Sequence, residues 1–244
     1  MILLNGRYLS WSLSIWRGSF LFVFIERLKM VKLSVTSKLD GIRSWSLNAL
    51  DTCPGSLEST GVLVDACKGC YATTGNYRFP NVKAPRNHNK LDWQRMDWVD
   101  DMVQALQNDR FFRWFDSGDM YSLGLAEKML EIMKRTPWVK HWLPTRMHKF
   151  PKFALVLQEM QSLKNVSVRF SSDFVNGEYV KGLHGSVIIP TPDDVKKGMT
   201  LCKAYESLGT CDGCRACYDK KVKVIAYPAH GKKMQKVINI LKAA

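Results

Sequence analysis

Phe111 to Ser122 reads FFRWFDSGDMYS, an apolar, aromatic run that ends in two acids and a glycine. A run of this kind bounded by turn residues predicts a buried strand. Asp116-Ser117-Gly118-Asp119 then falls at the strand's C-terminal end, where α/β sheets hold their chemistry. Two carboxylates at that place suit acid, base or nucleophile work. Asp116 or Ser117 suits a helix cap equally well.

Outward from this stretch the same pattern repeats. Tyr121 to Arg135 has Leu125, Met129, Ile132 and Met133 on one side and predicts a helix closed by Pro137. Val139 to Thr145 predicts the next strand and ends in the basic cluster Arg146-Met147-His148-Lys149. Phe153 to Leu163 predicts a third helix, Val166 to Phe170 a third strand ending in Ser171-Ser172-Asp173, and Gly185 to Pro190 a fourth strand. Upstream, Leu91 to Asn108 has helical spacing, and Lys32 to Leu47 suits short strands about the turn Lys38-Leu39-Asp40-Gly41.

Alternating strands and helices predict an α/β fold of repeated βα units, a partial or distorted TIM-like barrel. Right-handed crossovers then lay the strands parallel and bring their C-terminal ends to one rim. That rim collects Asp116, Asp119, Asp173, Arg146 and His148, and acids and bases on one rim favour an enzyme over a plain binding module.

Lys and Arg exceed Asp and Glu by 36 − 22 = 14. This balance fits a polyanionic partner, nucleic acid first, with DNA expected before RNA. Asn76 to Asn89, NYRFPNVKAPRNHN, reads as a loop carrying Arg78, Lys83 and Arg86 among aromatics. With Arg146, His148 and Lys149 these residues are the expected contacts to nucleic acid.

Seven cysteines raise disulfides or metal, and their spacing favours thiolate ligation in a reducing, cytoplasmic setting. Cys53 precedes the Cys67-Lys68-Gly69-Cys70 motif by thirteen intervening residues. Three cysteines leave a tetrahedral set incomplete, and open positions are where catalytic metals and clusters meet substrate. A second group, Cys202, Cys211, Cys214 and Cys217, is followed by His230 and forms a stronger metal signal, zinc or iron–sulfur. Residues 30–200 are read as the catalytic βα-repeat and 201–244 as a Cys-rich metal-binding segment.

Residues 1–29 carry Phe20-Leu21-Phe22-Val23-Phe24-Ile25, too short a core to span a bilayer. They are read as an extension ahead of a start at Met30. No internal repeat, Gly-rich phosphate loop or low-complexity tract is present.

The run from Ser37 to Tyr121, with SKLDGIRSWSLNALDTCPGS, ACKGCYATTGNYR and FRWFDSGDMYS, resembles a phage-encoded family known as gene product eighty-eight. That likeness implies a phage or prophage origin and no chemistry. The segment from Asp116 to Leu123 is also similar to the DSGGFQxxSL segment of tRNA-guanine transglycosylases, whose phage relatives place 7-deazaguanines in DNA. By that resemblance Asp116 would lie at a base-exchange site, and Leu143-Pro144-Thr145-Arg146 would match the family's LPTR segment. Cys211, Cys214, Cys217 and the later Ala226-Tyr227…His230 would match its zinc site. Lys140 stands where the family nucleophile belongs, so Asp116, Asp119 or Asp173 would have to serve. The trio Cys53, Cys67 and Cys70 ahead of a βα-repeat looks like a degenerate radical S-adenosylmethionine enzyme, which implies a four-iron, four-sulfur cluster there. In that family thirteen intervening residues would be three. The expected functions are therefore guanine exchange in DNA with a modified guanine base as small substrate, then radical iron–sulfur chemistry, then a non-catalytic metal module that binds nucleic acid.

Overall fold

The computed structural model describes residues 31–243, so the expected 1–29 extension lies outside the described residues. Its frame is one mixed sheet of eight strands. These are β1 (Ser34–Thr36), β2 (Ile42–Trp45), β3 (Phe111–Trp114), β4 (Lys140–Thr145), β5 (Val166–Ser171), β6 (Gly185–Ile189), β7 (Met199–Leu201) and β8 (Val224–Pro228). Their order across the sheet is β1-β2-β3-β4-β5-β6-β8-β7. The β1–β2 hairpin is antiparallel and every other pair is parallel. Parallel pairing sends the C-terminal ends of β2 to β8 to one rim, as the βα periodicity implies.

The helices are α1 (Asp65–Lys68), α2 (Pro80–Asp92), α3 (Trp98–Ala105), α4 (Leu123–Arg135), α5 (Ala154–Ser162) and α6 (Lys232–Ala243). Helix α4 buries Leu125, Ala126, Met129, Leu130, Ile132 and Met133, one apolar stripe at helical spacing. The Leu, Ile and Met side chains among them each stabilise the fold by about 1.5–3 kcal/mol when fully buried. In β3 the alternation is strict: Phe112 and Trp114 are fully buried on the helix-facing side. Trp114 meets Trp45 edge-on at 6.1 Å, and Trp45 meets Trp98 of α3 at 5.3 Å. Phe111 and Arg113 face the other way and meet Tyr218 and Trp142.

Two segments differ from the sequence expectation. The Asn76–Asn89 stretch is not a loop; most of it is α2. Pro80 occupies the first helical position, where its missing N–H costs nothing. Pro85 lies inside the helix and forfeits one intrahelical bond, the one an N–H there would have donated to the Asn81 carbonyl. The helix buries Arg86, Asn89 and Asp92, a polar face that periodicity of apolar residues cannot reveal. The expected Leu91–Asn108 helix is interrupted, since α2 ends at Asp92 and α3 starts at Trp98. Strands β7 and β8 and helix α6 were absent from the sequence reading and complete the sheet's far edge. No helix among the described residues is long and apolar enough to cross a membrane.

Candidate functional site

The Asp116–Asp119 turn is shaped by its backbone. Phe115 adopts φ +55°, a left-handed conformation that is rare for a bulky residue and re-aims the chain as it leaves β3. Gly118 has φ +81°, and a Cβ built there would stand 2.6 Å from the Leu47 Cβ. Only glycine fits. Leu47 N–H donates to the Ser117 carbonyl at 3.0 Å, and Asp119 N–H donates to the Thr52 carbonyl at 3.0 Å.

Asp116 does not cap a helix. Its carboxylate accepts from Arg86 Nη2 at 2.9 and 3.1 Å and from the Tyr77 hydroxyl at 3.3 Å. Arg86 and Asp116 are both nearly buried, and Arg86 Nε donates to Ser117 Oγ at 2.7 Å. Arg86 is thus a structural partner of the turn, not a phosphate contact on a loop.

Asp119 is buried, which pushes its carboxyl above the usual carboxylate range. Three donors oppose that rise: Arg146 N–H at 2.9 Å, Thr145 Oγ1 at 2.8 Å and Met120 N–H at 2.8 Å. It joins the end of β3 to the end of β4. Asp173, after β5, accepts from Arg146 Nε at 3.2 Å and Lys149 Nζ at 2.8 Å. All three expected acids therefore gather about the rim, and each is already engaged. His148 packs on Phe170 at 4.7 Å, and burial pulls its pKa down. Arg78 and Lys83 are exposed on the stretch leading into and along α2.

The thirteen residues between Cys53 and Cys67 fold back on themselves. Leu57 and Leu63 form an antiparallel bridge, and Glu58 N–H donates to the Val62 carbonyl at 2.8 Å. Below the bridge, Ser56 N–H donates to the Cys53 carbonyl at 2.9 Å and Val64 N–H to the Ser56 carbonyl at 2.9 Å. The small hairpin takes up most of the insertion, so Cys53 and Cys67 become spatial neighbours. Burial pushes the Cys53 thiol up to about 12, with Asp119, Cys67 and Cys70 adding to the rise. Burial raises Cys67 as well, while Arg146 and Lys149 pull the other way. Ala66 N–H donates to the Asp173 carbonyl at 2.9 Å, which docks α1 and its Cys67 on the end of β5.

The second thiol group lies on the face of the sheet opposite α4. Arg169 of β5 is fully buried there. It donates to the carbonyls of Ala216, Cys217, Asp219 and Val222 at 2.8–2.9 Å. Cys217 Sγ meets the Tyr227 hydroxyl at 3.1 Å. Burial pushes the Cys211 thiol up to about 11, and Cys217, Cys202 and Cys214 each add to it. His230 is exposed, and its Nδ1 meets the Pro228 carbonyl at 3.3 Å and no thiol. Among the described residues no three His, Cys, Asp or Glu side chains stand in a metal-holding arrangement.

Tyr71, Tyr77 and Arg113 belong to the same mouth; Tyr71 and Arg113 were not singled out from sequence, and Tyr77 was read only as a stacking aromatic of the expected loop. The Tyr71 hydroxyl donates to the Asp116 carbonyl at 2.7 Å, and its ring meets Tyr77 at 5.5 Å. Arg113 lies over the Trp142 ring at 4.5 Å. The available signal was a charged residue at an alternate position of an otherwise aromatic strand. A groove along α6, lined by Gly231, Lys232, Gln235 and Lys236, is open and carries neither acid nor thiol. The candidate site residues lie at the strand ends instead.

A family model described as Gene product 88 matches residues 26–220. No curated protein matches the chain, and no solved structure does.

Proposed function

The chain belongs to the gene product 88 family, and from that premise we propose that it is an iron–sulfur enzyme with Cys53, Cys67 and Cys70 as cluster ligands. The observation that supports this reading is the Leu57–Leu63 hairpin, which takes up most of the residues between Cys53 and Cys67. The three thiols do not stand in a metal-holding arrangement among the described residues, so a cluster would have to draw them together on binding. Three soft thiolates suit iron–sulfur ligation and leave one position of a four-ligand site for substrate. When bound, such a cluster supplies one-electron chemistry at that position. The chain's own contribution is to hold Arg146 and Lys149 beside the thiols, both tied to Asp173. Cationic groups there offset the negative charge of a thiolate-bound cluster.

The finer architecture belongs to the same proposal. We read the sheet as a partly closed, TIM-like barrel, because the Cys-rich segment after β7 returns to the β1–β2 turn. Cys211 N–H donates to the Lys38 carbonyl at 2.9 Å, and Arg215 pairs with Asp40 at 2.7 Å. Zinc or a second cluster on Cys202, Cys211, Cys214 and Cys217 would brace that closure. A reducing cytoplasm and a nucleic-acid substrate, DNA before RNA, complete the reading; the net charge of +14 supports the latter.

Anaerobic purification and reconstitution with iron and sulfide test it. A brown protein whose iron falls when Cys67→Ser and Cys70→Ser are combined supports the cluster. A colourless protein that takes up no iron refutes it. Base exchange in DNA is the second proposal. There Asp116 would attack the sugar C1′, guanine would leave with the bonding pair, and a deazaguanine would displace the carboxylate. Its place at the end of β3 favours this role, but the attack requires release from Arg86. Absence of labelled guanine incorporation into DNA would end it.

A further inference from the structure

The inner end of β3 carries a guanidinium with too few partners. Arg113 Nε is buried and meets no acceptor. The whole side chain makes one weak polar contact, from Nη2 to the Tyr71 hydroxyl at 3.5 Å. That hydroxyl already donates to the Asp116 carbonyl, so only its lone pairs face the guanidinium. No ion pair reaches Arg113 among the described residues, although Asp116 lies near. Asp116 is neutralised by Arg86. The Trp142 ring holds the guanidinium plane from one face, which leaves its edges for hydrogen bonds.

The neighbouring cations are all satisfied. Arg86 has Asp116, and Arg146 and Lys149 share Asp173. Arg169 has four carbonyls. Arg113 alone of these five has neither carboxylate nor carbonyl. A part-buried guanidinium without acceptors is costly, and a planar oxyanion repays that cost with parallel, charge-assisted hydrogen bonds. The residue keeps part of its surface open beside Tyr71, which is 47% exposed, so the approach is from the mouth.

We infer that Arg113, stacked on Trp142 and flanked by Tyr71, is the receptor for a carboxylate or phosphate group of a small-molecule substrate. Tyr71 directly follows Cys70, so the anionic end of that substrate is anchored next to the three-cysteine group. The site stands on Arg113 and its surroundings alone and needs no metal.

Calorimetric titration of the full chain with inorganic phosphate and with succinate, at constant ionic strength set by chloride, tests this. Saturable one-to-one binding of either probe is expected. Phosphate alone identifies a phosphoester substrate, succinate alone a carboxylate, and both support the shared oxyanion chemistry. The dissociation constant should rise at least tenfold in Arg113→Gln. It should rise severalfold in Arg113→Lys, which keeps the charge, loses the fork and serves if the glutamine variant fails to fold. No saturable binding of either probe, or wild-type affinity in both variants, overturns the assignment. Since no iron is added, failure here leaves the cluster proposal standing, and failure of the cluster leaves this site standing.

Discussion

His141 lies on the helix-facing side of β4 and is fully buried. Trp114 Nε1–H donates to its Nδ1 at 3.2 Å, while its Nε2 meets Thr136 Oγ1 at 2.9 Å. Thr136 Oγ1 already donates to the Ile132 carbonyl at 2.7 Å, so Nε2 carries the proton and the ring is neutral. Burial lowers its pKa from 6.5 to about 3. Because the folded value is the depressed one, the unfolded chain binds the proton more readily. Stability is full above 6.5 and falls as the pH drops below it, down to about 3. At pH 5 the loss is set by the unfolded value alone and amounts to about 2 kcal/mol, a factor of roughly 30 in the folding equilibrium. Urea unfolding followed by tryptophan fluorescence measures it, with Trp114 stacked on the imidazole as a reporter. His141→Gln can keep both hydrogen bonds and does not titrate, so other groups cancel in the comparison, His148 included. Wild type should lose about 2 kcal/mol more than the variant between pH 7 and pH 5. Equal losses would refute the buried neutral imidazole.

Gly118→Ala should cost about 2–4 kcal/mol, from the left-handed backbone and the collision with Leu47 together; a change below about 1 kcal/mol in urea unfolding would contradict the close approach. Arg169→Met should cost roughly 3–5 kcal/mol, because four carbonyls lose their donor. It should also open tryptic cleavage at Lys203, Arg215 and Lys220, and an unchanged digestion pattern would show that the Cys-rich segment is held by other means.

The central strands were legible because each is a short apolar run ending in turn residues. Phe111–Trp114, Lys140–Thr145, Val166–Ser171 and Gly185–Ile189 all fall where the pattern places them. Helix α2 was hidden by its two prolines and by a buried face made of Arg86, Asn89 and Asp92. Strand β8 was hidden because Ala226-Tyr227-Pro228 was read for its resemblance to a metal flank and not as the end of the short apolar run Val224-Ile225-Ala226. At the site, the gathering of Asp116, Asp119, Asp173 and Arg146 followed from parallel topology alone. Their pairing did not, because ion pairs between residues some thirty positions apart depend on rotamers that no local pattern encodes. The hairpin that unites Cys53 with Cys67 had only Gly61 as a signal, and a glycine marks a turn without saying which residues it joins.

The clasp between Asp40 and the Gly213–Arg215 turn joins residues 173 and 175 positions apart. On a ribosome adding about 5–20 residues per second, the hairpin β1–β2 waits roughly 9–35 s for the partner that covers it. Closure is therefore a late event in the chain's synthesis. Until then Tyr218 is not in place, and the ring faces of Phe111 and Trp142 that it will cover remain bare. A nascent chain of this kind presents a sticky aromatic surface to whatever is nearby, and a truncation before residue 211 should be recovered mainly as aggregate or bound to chaperones.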